Sequence, residues 1–193
     1  MKYILFIAFI LSVVSCAKHD GYTLTGLVPE AWEGKPVFLV LDDTNQPHFI
    51  DSTKISGGKF KFQGKFEVPR YCTINIYLDP NDRQTRSKII NFSLFIDSTA
   101  VEATCNYSGK HPVFQISGSG TQTEYQNYLS EIQPMEDDRS KTFHAYGEAY
   151  YSTKDLAKAI DLAKLVTEKR LAIREAKMKY LKAHPESAIS VKI

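Results

Sequence analysis

Hydrophobic and polar positions alternate strictly along residues 59–66, KFKFQGKF: Phe60, Phe62 and Phe66 fall on one parity, Lys59, Lys61, Gln63 and Lys65 on the other. Period-two alternation marks a half-buried antiparallel strand. Residues 48–55 read as its partner strand, and Gly57-Gly58 stand between the two runs. Two glycines take positive φ without a Cβ clash, as a two-residue hairpin turn requires. The spacing predicts a β-hairpin over residues 49–66. It sets Ile55 against Phe60, Thr53 against Phe62, Asp51 against Gly64 and Phe49 against Phe66; a four-residue loop over 56–59 gives the same pairing. Phe49, Ile55, Phe60, Phe62 and Phe66 then share the buried face, and a slip of one residue would expose them. Two positions fit poorly. Lys54 faces Lys61, a like-charge pair, and Asp51 lies on the apolar face. Asp51 is therefore expected to be a structural polar lock, accepting hydrogen bonds from nearby backbone or Ser/Thr groups. The competing reading is a perturbed carboxylate that binds something.

Six further strands extend the picture across residues 22–118. Strands are expected at 22–28, 36–41, 71–78, 89–96, 99–105 and 113–117, besides the two of the hairpin, with turn chemistry between them. Residues 36–41, PVFLVL, are apolar on both parities, which suits a central strand or one covered on its outer side. Ile90, Phe92, Leu94 and Ile96 share one face of the strand over 89–96. Eight short strands predict an antiparallel β-sandwich or an open barrel. After Gly118-Ser119-Gly120 the period changes. Tyr125, Tyr128, Leu129 and Ile132 stand at helical spacing, and Pro134 either kinks that helix or opens a new one. Ser152, with Asp155 three residues on, predicts an N-cap for a long helix ending near Ala183, before His184-Pro185. Its expected apolar stripe is Leu156, Ile160, Ala163, Val166, Ile173, Ala176 and Tyr180. The class is thus α+β, a sandwich over residues 22–118 followed by a long αα-hairpin over 119–193.

The N-terminus changes where this domain is expected to work. Lys2 precedes an apolar run of 12 residues over 3–14, shorter than the roughly 20 residues that span a bilayer and suited to a signal peptide. The run ends at Val13-Val14-Ser15-Cys16, which resembles a bacterial lipobox. Val13 stands where that motif favours leucine, Val14 is larger than usual and Ser15 fits. Residues 1–15 then form a lipoprotein signal peptide, Cys16 carries the lipid (palmitate among its acyl chains), and 16–21 form a tether. The alternative is an ordinary signal peptide with Cys16 incidental. Export would place Cys72 and Cys105 in an oxidising compartment. Both share parity with core positions. They can form a disulfide contributing about 3–4 kcal/mol, or remain two buried thiols.

Composition and motifs exclude more than they assign. A net charge of +2 over 193 residues gives no reason to invoke nucleic acid. The chain has no Cys-x-x-Cys, no Gly-x-Ser-x-Gly elbow, no phosphate-binding glycine loop and no dinucleotide fingerprint. The five histidines are scattered, none at metal-ligand spacing with another His or Cys. No catalytic residue, metal or cofactor is therefore expected. Gly118-Ser119-Gly120-Thr121 precedes a helix but has no lysine and reads as a strand-to-helix turn. The Lys/Glu/Arg-rich helix from Lys154 reads as a solvated face. Tyr125, Tyr128, Tyr146, Tyr150 and Tyr151 either pack on the sandwich or line an interaction groove.

Taken in order, these features resemble a known arrangement. They are Cys16; Thr23-Leu24-Thr25-Gly26; the apolar strand 36–41; Ile50-Asp51-Ser52-Thr53 leading to Gly58-Lys59-Phe60-Lys61-Phe62-Gln63-Gly64; Val68-Pro69; residues 92–96; Ile116-Ser117-Gly118-Ser119; and residues 125–129. The chain resembles the domain of unknown function found at the N-terminus of bacterial lipoproteins related to thioredoxin and to AhpC/TSA-type peroxiredoxins. His184-Pro185-Glu186-Ser187 looks like the stretch leading into the thioredoxin fold in such proteins. Those proteins usually continue into a domain with a Cys-x-x-Cys or a peroxidatic cysteine. No position of this sequence matches either, so no redox residue is carried over. The resemblance implies a lipid-anchored protein of the bacterial cell envelope, in the outer membrane on its periplasmic side or at the surface. The expectation is a non-catalytic interaction domain, with a protein partner or self-association through the helical hairpin. The alternative is the accessory front half of a thiol-disulfide oxidoreductase, truncated or separately encoded. A small-ligand binder is a third reading, with no convergent polar cluster behind it.

Overall fold

A computed structural model describes residues 21–42, 46–79, 89–107 and 111–193. Cys16, the leader and the turns expected around 43–45, 80–82 and 108–109 lie outside the described residues. Eight strands form two four-stranded sheets. The first holds β1 (Tyr22–Leu27), β4 (Lys59–Gly64), β7 (Ala100–Asn106) and β8 (Val113–Ser117), in the order β4-β1-β7-β8. The second holds β2 (Pro36–Leu41), β3 (His48–Lys54), β5 (Arg70–Tyr77) and β6 (Ile89–Ile96), in the order β3-β2-β5-β6. All neighbouring strands are antiparallel except β1 and β7, which run parallel with Leu24 beside Val101.

The sheets pack face to face through alternate side chains. Leu24, Phe60, Phe62, Val101 and Ala103 come from one; Val37, Leu39, Cys72, Ile74, Ile76, Leu94 and Ile96 from the other. The doubly apolar β2 lies inside its sheet, between β3 and β5. Gly26 is buried in β1 because the ring of Phe60 lies over it. A Cβ there would sit 2.0 Å from the ring atoms.

The sequence's clearest local pattern takes an unexpected course. Gly57 and Gly58 have φ of 58° and 67°. The Ser56 N–H donates to the Lys59 carbonyl at 2.8 Å and the Lys59 N–H to the Ser56 carbonyl at 3.1 Å. The two-residue turn is therefore present, but the hairpin is not. Ser56 and Lys59 make a single isolated bridge, and the strands then part. β3 pairs with β2 and β4 with β1, so the chain crosses from one sheet to the other. Asp51 faces Leu39 rather than Gly64. Phe60, Phe62 and Ile55 are buried as expected, but Phe49 is exposed on the edge strand.

The helices close one edge of the second sheet. α1 (Gly120–Gly147) is capped by Ser119, whose Oγ accepts the Gln122 N–H at 3.0 Å. It runs through Pro134 as one helix. A π-helical turn, Glu148–Ser152, leads to α2 (Leu156–Ala183). The cap of α2 is Asp155, accepting the Lys158 N–H at 3.1 Å, not the expected Ser152. Lys154 takes a left-handed φ of 57° just before it, so the chain turns three residues later than the sequence suggested. β6 is the outer strand of its sheet, and Gln122 accepts the buried Phe95 N–H at 2.7 Å. A helix side chain thereby satisfies an edge that would otherwise invite pairing. Around Phe95 a second, smaller core gathers Tyr128, Ile132, Ile173 and Ile189, the last from a 3-10 turn, Ala188–Lys192, that folds back after α2.

Candidate functional site: the helical hairpin

A carboxylate helps to fix the hairpin at its base, beside Gln122 and the core around Phe95. Asp97, in the turn after β6, accepts the Ser119 hydroxyl at 2.8 Å and the Thr121 N–H at 3.3 Å. It also accepts the Thr99 hydroxyl. Burial opposes its ionisation, but the hydrogen bonds from Thr99, Ser119 and Thr121 outweigh burial and hold its pKa below the ordinary value. This is the polar lock the sequence analysis sought at Asp51. Asp51 itself is exposed, and its Oδ1 accepts the neighbouring Ser52 N–H at 2.7 Å. Both positions read Asp-Ser-Thr in the sequence. The second sits at a strand-to-turn boundary, where an Asp side chain folds back on the following backbone.

Between the helices, near this base, lies a groove of about 320 Å³ lined by Tyr128, Glu131, Met135, Lys179, Tyr180 and His184. Some of the polar groups in and beside it are engaged in structure. The Tyr180 hydroxyl donates to Glu124 Oε1 at 2.8 Å, and Ser187 donates to the same oxygen at 2.6 Å. Tyr180 packs edge-on to Tyr128 and stacks on His184 at 4.3 Å. Burial, then the Glu124 hydrogen bond, push the Tyr180 phenol up to about 12. Burial also raises Tyr125 and Tyr128. Phenols shifted this way stay protonated near neutrality and make poor general bases.

Cys72 is buried in β5 and Cys105 half-buried in β7, on opposite sheets. They are separate thiols, so the disulfide considered from sequence is not formed here. Burial raises the Cys105 thiol above its ordinary pKa, which lowers the thiolate fraction that redox chemistry uses. Among the described residues no group of three or more His, Cys, Asp or Glu is placed to hold a metal ion. No described helix is long and apolar enough to cross a membrane.

The far end of the hairpin is different. Tyr125 and Tyr128 pack against the sandwich, whereas Phe143, Tyr150 and Tyr151 are exposed. Tyr146 stacks between Phe143 and Tyr150 at 6.0 and 5.8 Å, and Tyr151 packs edge-on to Tyr150 at 4.8 Å. Leu156 and Ile160 of α2, 59% and 58% exposed, continue the surface. A cleft of about 380 Å³ lies among Tyr146, Tyr150, Leu156, Ala159, Ile160 and Ala163. The five tyrosines thus divide between packing and surface. The sequence stripe of α2 missed this, because Leu156, Ile160 and Ala163 sit on a different face from Val166, Ile173 and Tyr180. Counting positions at 100° per residue separates the two sets.

A two-sheet scaffold thus carries a helical hairpin whose far end exposes aromatic and aliphatic side chains. The chain belongs to the family of a domain of unknown function, DUF4369, whose model matches residues 22–125. The match covers the sandwich and the start of α1, so the aromatic tip lies beyond it. This is the family that the resemblance in the sequence indicated. A search of curated proteins finds no match.

Proposed function

We propose that this protein is a non-catalytic lipoprotein of the bacterial cell envelope, anchored through lipid on Cys16, that serves as an interaction domain through its helical hairpin. The supporting observation is the contiguous exposed surface of Phe143, Tyr150, Tyr151, Leu156 and Ile160 on an arm anchored firmly at its base. Apolar patches of this kind on soluble surfaces mark contact sites. The lipobox-like Cys16 supports the address. Palmitate labelling and membrane fractionation test it: Cys16→Ser is expected to lose the label and leave the membrane fraction. Retention of both would overturn the anchoring. A photo-reactive side chain at position 151 is expected to give a discrete cross-linked protein in envelopes, and one at exposed Ala172 is not. Equal behaviour at the two positions would overturn the interaction reading.

Family membership supports a second reading, an accessory N-terminal half of a thioredoxin-like or peroxiredoxin-like oxidoreductase. Under it, the partner captured at position 151 carries a redox-active cysteine. Insulin reduction by the chain alone would contradict the non-catalytic reading.

A further inference from the structure

The side of the hairpin, away from the aromatic tip, carries a different feature. Arg170, Arg174 and Lys177 recur along α2 at steps of four and three residues. At 100° per residue they fall within one stripe roughly 60° wide and about 10 Å long. They line a groove of about 280 Å³ shared with Glu136 of α1 and with Ile173, Leu181 and Ile193, which form its apolar part. Glu136 is the one acidic side chain lining it, and it is already engaged twice, by Arg139 at 3.0 Å and by Lys177 at 3.4 Å. The next carboxylates along α1, Asp137 and Asp138, are taken by Gln133 and Lys169. No carboxylate among the described residues pairs with Arg170 or Arg174. Three cations against one acidic side chain leave the groove positive, in a chain whose net charge is only +2. Arg170 and Arg174 are a like-charge pair at i,i+4, and Arg174 and Lys177 one at i,i+3. Such pairs destabilise a helix unless an anion joins them.

The donor set selects the ligand. One guanidinium fork suffices for a carboxylate, whereas two forks and an ammonium match the several oxygens of a phosphate. The apolar part beside them suits a phosphate that adjoins a hydrocarbon chain. The groove's place in the molecule agrees. Ile173 and Ile193 belong to the core around Phe95. Asp97, two residues on, bonds Thr99, whose carbonyl accepts the Thr23 N–H at 3.1 Å. The groove and the start of β1 are thus at the same end of the sandwich. Cys16 lies five residues before Gly21, a reach of about 17 Å when extended. Lipid at Cys16 would hold this end at a membrane surface.

We propose that Arg170, Arg174 and Lys177 form a binding site for the phosphate of an anionic amphiphile, the headgroup of a membrane phospholipid. The membrane source rests on the anchoring reading above; the site itself does not. Met178, 46% exposed, lines the same groove and supplies the probe. The test follows the rate at which Met178→Cys in the intact chain reacts with a membrane-impermeant maleimide. Ala172→Cys, exposed on the other side of α2, and the unsubstituted chain are the comparisons. The media are phosphatidylcholine vesicles, phosphatidylcholine vesicles containing phosphatidylglycerol, and phosphate in place of chloride at equal ionic strength. Phosphatidylglycerol is expected to slow position 178 about fivefold or more, since each cation at an anionic surface contributes about that factor. Arg170→Gln/Arg174→Gln should restore the phosphatidylcholine rate, and position 172 should not respond. Slowing by inorganic phosphate without slowing by phosphatidylglycerol would support the site and overturn its membrane source. Equal rates in all three media, or equal slowing at position 172, would overturn the site. Flotation with phosphatidylcholine vesicles reads the anchoring separately. A chain that stays behind would contradict lipid on Cys16, while phosphatidylglycerol vesicles would still protect position 178. Both arginines are exposed and lack ion pairs among the described residues, so their double variant should keep or slightly raise the unfolding midpoint. A fall would show that they serve the fold and contradict the proposal.

Discussion

At the residue scale the molecule turns on which of two Asp-Ser-Thr triplets is tied into the fold. Asp97 joins the β6 turn to the α1 cap; Asp51 lies exposed on an edge strand. Asp97→Ala is expected to cost about 1–3 kcal/mol, since it removes a charged acceptor from several donors. Asp51→Ala should change stability by no more than about 0.5 kcal/mol. Denaturant titration of both variants distinguishes them. The lowered pKa of Asp97 fixes the sign of a pH effect. Its contribution is present above the unfolded carboxyl pKa, about 3.9, and is lost as pH falls through the lower folded value. The unfolding midpoint of the native chain should therefore fall more steeply in that acid range than that of Asp97→Ala. The acceptor chemistry was legible in the letters. Its position was not, because the Ser119 and Thr121 donors come from beyond two intervening strands.

At the element scale, all eight strands and both helices could be read from periodicity and turn residues, even the edge strand β3, which leaves all but Thr53 exposed. The pairing could not. A hairpin and a sheet-to-sheet corner place the same parity of Phe60, Phe62 and Ile55 against a common core, so the local pattern is identical for both. Only the partners of β3 and β4, distant in sequence, separate the two cases. The turn itself remains demanding. Gly57→Ala has open space for its Cβ but must hold a left-handed φ of 58°, and should cost about 1 kcal/mol by thermal unfolding. Gly26→Ala meets the Phe60 ring directly and should cost more, about 3 kcal/mol. The long stripe assigned to α2 merged two faces, because residues three and four apart drift around a helix of 28 residues.

At the scale of the whole molecule, the sandwich works as a rigid base and the hairpin as an arm. Asp97, Gln122 and the core around Phe95 fasten the arm at one end, leaving the aromatic tip and the outer face of α2 in solvent. Family membership could be read from the order of loose motifs. The surface could not, because exposure of Leu156 and Ile160 depends on which face of α2 meets α1. Removing apolar area there should not weaken the fold. Leu156→Ser/Ile160→Ser is expected to keep the native unfolding midpoint while abolishing the cross-link formed from position 151. A fall in midpoint would mean that these side chains serve the fold instead.

Accessibility of the arm in its native setting tests the central claim most directly. With Ile160→Cys or Ala172→Cys in the intact chain, the rate of reaction with a membrane-impermeant maleimide can be compared between native envelopes and dilute purified protein. An interaction surface predicts that position 160 is slowed at least about tenfold in envelopes, in line with the burial of a well-packed contact, while position 172 reacts equally in both. Equal rates at position 160 would contradict the account.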